Sequence, residues 1–184
     1  MSVPVPEYRT LGSREIYRNR WLRLREDEIV RADGTPGRYS VVEKADFALV
    51  VPLHEDGSFT LVEQYRYPVG ERCLEFPQGA DDAQPDLDPL ELARKELAEE
   101  TGLRADRVRL LGRLHHAYGY SSQAVSIVLA TGLTPGPVAR EVEEQGMTVV
   151  RRAASDVAAM MRDGRIRDCV SVAAYGMFLL QPGR

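Results

Sequence analysis

Three glutamates lie within five positions of one short segment, KELAEETGL at residues 95–103. Side chains three and four residues apart share one face of an α-helix, so Glu96, Glu99 and Glu100 would project together. One alternative is a solvated helix surface, on which Lys95 relieves part of the repulsion between the carboxylates. The other alternative is a cation site, because Mg²⁺ takes carboxylate oxygens and substrate phosphates as its ligands.

A loop would place this helix beside the end of an apolar strand. The strand CLEFPQG leads into a turn at Gln78–Gly79, where glycine permits backbone conformations that other residues avoid. Asp88 is a predicted N-cap, the helix is predicted from about Pro89 to Thr101, and Gly102 favours a left-handed C-cap. Helix carboxylates and a carbonyl of the turn are therefore the oxygens expected to bind a cation.

The remaining pattern predicts an α+β fold in which a mixed sheet lies between helices. Alternation from 8 to 31, the turn ADGTPG and the return RYSVVE predict an N-terminal antiparallel strand meander. DFALVVPL is typical of a strand covered on both faces, and FTLVEQYRY is predicted to pair back on it as a hairpin. Later strands are predicted in VRLLGRLHHAYGY, AVSIVLATGL and MTVVRR, with helices at 155–163 and about 168–180.

Composition excludes several classes of function. The chain has 184 residues, 43% of them apolar and 28% charged, as in an ordinary globular protein with one domain. A net charge of −4 does not favour binding to nucleic acid or to an anionic membrane. Cys73 and Cys169 form no metal or disulfide pattern, and the sequence shows neither a signal peptide nor a membrane span. We therefore expect a cytoplasmic protein without nucleic-acid or membrane partners.

The glutamate segment and the glycine before it resemble the Nudix box, a loop–helix–loop motif. Lys95 stands where the motif has arginine, and the loop from Gly79 to Glu96 is two residues longer than usual. Asp86 or Asp88 is expected to take the place of an acidic residue that the motif carries in this loop. The positions that correspond to the motif are Gly79, Lys95, Glu96, Leu97, Glu99, Glu100, Gly102 and Leu103.

The resemblance extends over most of the chain and indicates one branch of the family. FALVVPL, LVEQYRYPVG and LEFPQG are similar to strands of the ADP-ribose and nucleotide-sugar pyrophosphatases, and GRIRDCVSVAAYGMFLL is similar to their last helix. The resemblance implies an α/β/α Nudix fold over 46–184 and a homodimer formed through the strand region 1–45. It implies hydrolysis of ADP-ribose or a related nucleotide sugar to a nucleoside monophosphate and a sugar phosphate, with Mg²⁺ or Mn²⁺ as cofactor.

The same resemblance assigns metal ligands and a catalytic base. Glu96, Glu100 and the carbonyl of Gln78 are the implied metal ligands, and Glu99 supports the metals or a bridging water. A loop glutamate in REVEEQG is the implied base, with Glu143 ranked before Glu141 and with Glu144 and Glu99 as the other candidates. Bound divalent cations would neutralise the diphosphate and lower the pKa of a water molecule.

Four further residues are expected at the substrate. Arg66 can offer two directed donors to phosphate oxygens. Glu75 can hold a substrate hydroxyl or amine, or alternatively pair with Arg66. Gly79 belongs to the loop at the site, and Tyr118 in AYGYSSQ stands where the branch has a proline beside the substrate.

Two other functions compete with this interpretation. Lys95 and the longer box loop favour a Nudix-fold sensor that binds a nucleotide without cleaving it. The three helix glutamates argue against that, because a protein that only binds would not need them. A dinucleoside polyphosphate or RNA-cap hydrolase is the remaining alternative, although the chain has no basic surface for RNA.

Overall fold

A computed structural model describes residues 7–137 and 146–182, which form ten strands and three helices within those limits. The strands build three sheets, ordered β1-β2-β3, β10-β5-β6 and β7-β4-β9-β8. The elements are β1 Tyr8–Arg18, β2 Arg23–Arg31, β3 Pro36–Glu43, β4 Phe47–Pro52, β5 Phe59–Arg66, β6 Glu71–Glu75, β7 Gln78–Gly79, α1 Pro89–Thr101, β8 Leu103–His115, β9 Ala124–Pro135, β10 Thr148–Arg152, α2 Ala154–Arg162 and α3 Cys169–Leu179.

The chain divides into two compact units. The first contains the strands before Ala45 together with 117–123, and the second contains 46–116 and the residues after 124. In the first unit β2 pairs antiparallel with both β1 and β3, which confirms the predicted N-terminal meander. The segment 117–123 joins this unit through the backbone, since Val42 donates its N–H to the carbonyl of Tyr120 at 2.8 Å.

Strand β4 is the central strand of the second unit. It pairs in parallel with β9 and antiparallel with β7, so its sheet is mixed, as predicted. Residues 48–52 are all buried, which fits the continuous apolar run DFALVVPL. The sequence is hydrophobic at every position here because helices cover both faces of this strand.

The predicted hairpin between β4 and β5 is wrong. The turn exists, with Gly57 at φ 79° and an N–H from His54 to the carbonyl of Ser58 at 2.9 Å. After a single bridge between Leu53 and Phe59, however, β5 leaves to pair with β6 and β10 in another sheet. The reason is that β7 and β9 already occupy both edges of β4.

Helices α1 and α3 pack on opposite faces of β4. Alternate residues of a strand point to opposite sides. Ala48 and Val50 pack with Leu92, Ala93 and Leu97 of α1 in one apolar group, the α1 cluster. Leu49 and Val51 pack with Val170, Ala174 and Phe178 of α3 in another, the α3 cluster. In α1 the fully buried Leu97 faces the sheet, and in α3 the ring of Phe178 packs edge-on against Phe59. This arrangement confirms the predicted fold class.

The helix limits follow local sequence signals. Helix α1 spans the predicted Pro89–Thr101, begins at Asp88, whose carboxylate accepts from two backbone N–H groups, and ends at Gly102 with φ 73°. The C-terminal helices begin and end within a residue or two of their predicted limits. Within the described parts of the chain, no helix has the length and apolar character needed to cross a membrane.

Candidate functional site

The three helix glutamates differ in burial. Glu96 and Glu100 are only 5% and 2% exposed, although both are acidic, whereas the side chain of Glu99 is 25% exposed. Carboxylates are rarely buried to this extent unless they are partnered or bind a cation. A solvated helix surface, the simpler of the two alternatives, is therefore excluded for Glu96 and Glu100.

Gly79 lies directly beneath the carboxylate of Glu96. A Cβ atom added at Gly79 would stand 2.4 Å from Glu96 Oε2 and 2.7 Å from its carboxyl carbon. Such a distance is far inside van der Waals contact, so a side chain at residue 79 would displace the carboxylate of Glu96 from this position. The glycine matters here for space, and its backbone φ is not positive.

The peptide of Gln78 connects β7 to the second buried glutamate. Its N–H donates to Glu100 Oε2 at 3.1 Å, and β7 is held in register by the pairs of Gln78 with Leu49 and Gly79 with Ala48. One turn of backbone therefore lies against both Glu96 and Glu100. This is the arrangement expected if the Gln78 carbonyl and the two carboxylates serve one site.

Lys95 finds its acidic partner in a residue that the motif alignment did not indicate. Its Nζ lies 2.8 Å from Asp81 Oδ2 and 3.9 Å from Glu99 Oε2. Asp81 is only 8% exposed, and its hydrogen bond with Lys95 lowers the pKa of the Asp81 carboxyl and raises the pKa of the Lys95 amine. Asp81 also accepts from the backbone N–H groups of Ala83 and Gln84, which closes the first turn of the loop.

The expectation that Asp86 or Asp88 takes the place of the motif's acidic residue stays a prediction. Asp88 caps α1 by accepting from the N–H of Leu90 at 2.9 Å, and Asp86 lines a cavity of about 210 Å³ with Arg113. Within the described residues, the ion pairs of Lys95 are with Asp81 and Glu99 and not with either of these two residues. The signal that could have found Asp81 is its place directly after the glycine turn, where a carboxylate commonly bonds backbone N–H groups.

Arg66 and Glu75 form an ion pair beside the same turn. Arg66 Nη2 lies 2.7 Å from Glu75 Oε1, but the donor is not aligned with that oxygen well enough for a hydrogen bond. Glu75 is 2% exposed, and burial raises the pKa of its carboxyl although the Arg66 cation opposes this change. Of the two roles expected for Glu75, the structure contains the pairing; contact with substrate stays a prediction.

Two groups of expected site residues lie elsewhere. Glu141, Glu143 and Glu144 are outside the described residues. Tyr118 belongs to the first unit and is 83% exposed. Their expected roles stay predictions.

The residues around Gln78 fit a hard divalent cation. Within 7–137 and 146–182, no three acidic, histidine or cysteine side chains are grouped closely enough to hold a metal ion between them. The donors are instead two buried carboxylates, Glu96 and Glu100, beside a turn whose glycine leaves no side chain in the way. Mg²⁺ commonly uses one or two protein carboxylates and takes its other ligands from water and substrate phosphates.

Comparison with known families matches both units of the chain. Residues 8–42 match the nucleoside diphosphate sugar hydrolase N-terminal domain, and residues 44–145 match the NUDIX domain. A solved structure described as an ADP compounds hydrolase superposes with a TM-score of 0.83 at 22% identity, over 97% of this chain and 95% of the other. That likeness supports the fold alone.

Named relatives are similar over nearly the whole chain. An ADP-ribose pyrophosphatase of Mycobacterium tuberculosis (strain ATCC 25618 / H37Rv) is 30% identical over 168 residues, which cover 91% of this chain and 81% of the relative. A methanol dehydrogenase activator of Bacillus methanolicus is 23% identical, with 95% and 94% covered. An ADP-ribose pyrophosphatase of Bacillus subtilis (strain 168) is 22% identical, with 86% and 85% covered.

Proposed function

The chain belongs to the Nudix family, and we propose that it hydrolyses the diphosphate linkage of a nucleoside diphosphate derivative with a divalent cation as cofactor. Its substrate is ADP-ribose or a related nucleotide sugar, and the products are a nucleoside monophosphate and a sugar phosphate. The NUDIX match over 44–145 and the two ADP-ribose pyrophosphatases among its relatives support this function.

One observation carries the proposal. Glu96 and Glu100 are buried on the face of α1 that meets the Gln78–Gly79 turn, and Glu100 accepts the N–H of Gln78. Buried carboxylates are costly, and a protein that only binds nucleotide has no use for a pair of them at this position. When bound, Mg²⁺ or Mn²⁺ would neutralise charge on the diphosphate and lower the pKa of a water molecule.

The protein's own residues then have separate tasks. Glu96, Glu100 and the Gln78 carbonyl hold the cation, and Glu99 takes a supporting place at the exposed edge of the same helix face. Arg66 presents its guanidinium to a phosphate oxygen, with a side chain that is 41% exposed and steadied by the buried Glu75. Gly79 leaves room for this arrangement.

A loop carboxylate completes the reaction. Because the helix glutamates are committed to the cation, the water that attacks phosphorus needs another group to orient it and accept its proton. Glu143 takes this role, and Glu141 is the second candidate.

We further propose a two-fold homodimer. Strand β1 carries large apolar side chains that are exposed in the single chain, including Leu11 at 55%, Ile16 at 48% and Tyr17 at 55%. Leu11 and Ile16 both sit at register shifts of the β1–β2 pair, where a bulge turns the side chain away from the ladder. A second copy would cover these residues.

A substrate panel tests the function. The purified protein is incubated with ADP-ribose, nucleotide sugars, dinucleotides and nucleoside triphosphates in Mg²⁺, Mn²⁺ or EDTA, and the products are separated by anion-exchange chromatography. ADP-ribose or a nucleotide sugar should be cleaved with either cation and not in EDTA. Binding of these compounds without cleavage in either cation would instead establish a sensor.

A matched pair of variants ties the activity to the site. Glu100→Gln keeps the shape of the buried side chain and removes its charge, so kcat should fall at least about 100-fold, or ~2.7 kcal/mol. Glu91→Gln, an exposed position on the same helix, should keep the wild-type rate. Equal rates for the two variants at saturating Mg²⁺ would refute the assignment of the site.

A further inference from the structure

The side chain of Gln78 points away from the glutamates of α1. Gly79 faces Glu96 across one side of β7, and alternation places the Gln78 side chain on the other side, where α3 packs. There Gln78 Nε2 donates to Glu75 Oε2 at 3.1 Å and to Asp168 Oδ2 at 3.0 Å. Both hydrogens of the amide are therefore used by carboxylates.

One carboxylate oxygen of Asp168 accepts two hydrogen bonds. Asp168 is the N-cap of α3, where its Oδ2 accepts the N–H of Ser171 at 2.8 Å, and the same Oδ2 accepts from the Gln78 amide. Ser171 in turn accepts the N–H of Phe76 through its Oγ at 2.9 Å. The first turn of α3 thus holds the segment from Phe76 to Gln78 at two points.

The hydrogen bond between the Gln78 side chain and Asp168 lies on the opposite side of β7 from the candidate metal site. The peptide of Gln78 donates its N–H to Glu100 and carries the carbonyl expected to bind the cation, while its side chain is fixed to the start of α3. A strand of two residues has little pairing of its own to resist rotation of that peptide. Side-chain contacts on both faces of the sheet therefore add to the backbone pairing with β4 in fixing that peptide.

We propose that Asp168 and the side-chain amide of Gln78 are positioning residues for the metal site, holding the Gln78 peptide in the orientation that presents its carbonyl to the cation. This inference rests on the proposed function, since it assumes a cation at Glu96 and Glu100. Residues that orient metal ligands commonly contribute about 10–100-fold to metal affinity or activity. The N-terminus of α3 is then part of the active centre although it touches neither cation nor substrate.

Three variants separate this role from simple capping of α3. Asp168→Ser keeps an N-cap acceptor for Ser171 but is too short to reach the Gln78 amide, and Asp168→Asn keeps one oxygen that can accept from both donors. Gln78→Met retains the length of the side chain and removes both donors. Mn²⁺ binding to the protein without substrate is measured by electron paramagnetic resonance of the free ion, and the melting temperature is measured in EDTA.

Asp168→Ser and Gln78→Met should each weaken Mn²⁺ binding by about tenfold. Asp168→Asn should bind as the wild type does, and the double variant Asp168→Ser/Gln78→Met should be no weaker than Gln78→Met alone, because that substitution already removes the contact with Asp168. Near-equal melting temperatures of Asp168→Ser and Asp168→Asn in EDTA would show that capping is intact in both. If Asp168→Ser binds Mn²⁺ as tightly as Asp168→Asn, the inference is overturned.

The controls distinguish this failure from failure of the proposed function. Wild-type protein should bind Mn²⁺ and Glu100→Gln should not. If both of these hold while Asp168→Ser is unimpaired, only the positioning role fails. If the wild type binds no Mn²⁺, the metal site and the positioning role are refuted together.

Discussion

Lys95 departs from the motif and still forms a close charged contact. The Nudix box has arginine at this position, and a lysine cannot form the bidentate contact that arginine makes with a carboxylate. In this chain Asp81 approaches the amine to 2.8 Å from the start of the loop, and its other contacts close the loop turn. One charged contact therefore joins the loop to α1, next to Glu96 and Glu99.

The pairing of Asp81 with Lys95 predicts a pH-dependent contribution to stability. Its hydrogen bond with Lys95 lowers the pKa of Asp81, so this contribution is present above the ordinary carboxyl pKa of about 3.9 and is lost as pH falls through the folded value. Asp81→Asn should lower the free energy of unfolding by about 1 kcal/mol at pH 7, and the deficit should stay constant down to about pH 4 and shrink as the pH falls further. Thermal melts across this range measure it.

Asp82 provides the control for that experiment. It is the exposed neighbour of Asp81, and Asp82→Asn should leave the melting temperature unchanged at every pH. If Asp81→Asn and the wild type have the same melting temperature at pH 7, the contact between Asp81 and Lys95 does not stabilise the protein.

The acidic loop gives a second prediction at single residues. Glu143→Gln should lower kcat at least about tenfold, or ~1.4 kcal/mol of barrier, with little change in KM, because the role proposed for Glu143 is to orient the attacking water and not to bind the substrate. Glu141→Gln and Glu144→Gln are matched controls in the same loop, and only one of the three variants should show the large effect. Full kcat in all three would move the search for a base to Glu99.

At the scale of elements, the site depends on how closely α1 approaches β7. Gly79 removes the side chain that would keep Glu96 away, and Leu97 and Ala93 on the neighbouring face of α1 are buried in the α1 cluster. Burying a residue the size of Leu97 stabilises a protein by about 2 kcal/mol. Packing of the apolar face therefore forces the buried carboxylates against the turn.

Two glycine variants test that approach. Gly79→Ala would place a Cβ 2.4 Å from Glu96 Oε2, so Mn²⁺ binding and kcat/KM should both fall at least about tenfold. Gly176→Ala is the control, because a Cβ there meets no atom within 4 Å and lies inside α3. That variant should gain about 0.5–1 kcal/mol of stability and keep wild-type activity. Wild-type metal binding by Gly79→Ala would contradict the close approach.

At the scale of the whole molecule, the first unit leaves several large apolar side chains exposed when the chain is considered alone. Trp21 is 51% exposed and Tyr8 is 50% exposed, in addition to the apolar residues at the two bulges of β1. An outer strand with exposed ladder groups and large apolar side chains invites pairing with another chain unless it is covered. The proposed homodimer gives this surface a defined partner.

The dimer makes a direct prediction about mass. Light scattering at micromolar concentration should give twice the chain mass of 20.6 kDa. Leu11→Lys combined with Ile16→Lys should shift the mass toward the monomer, because two charges would lie in the buried interface. Thr10→Lys, also exposed on β1, is the control for added charge. A wild-type monomer at this concentration would refute the dimer.

The sequence alone determined the family, the fold class and the element that carries the carboxylates. Local signals sufficed for α1, since Asp88, Pro89 and Gly102 specify its ends and the i, i+4 spacing places Glu96 and Glu100 together. Resemblance to the Nudix box then indicated Gln78 and Gly79. These features were accessible because each depends on residues that are near in sequence or on a motif of fixed spacing.

Only the tertiary structure decided which residues hold that element in place. Asp81 reaches Lys95 from fourteen positions away, Asp168 reaches Gln78 from ninety, and β5 leaves β4 for another sheet. The sequence does not specify the partner in any of these cases, because a carboxylate has several polar groups within its reach and a strand has two edges. The choice among them is made when α1 and α3 pack on the two faces of β4, and that packing is a property of the folded chain.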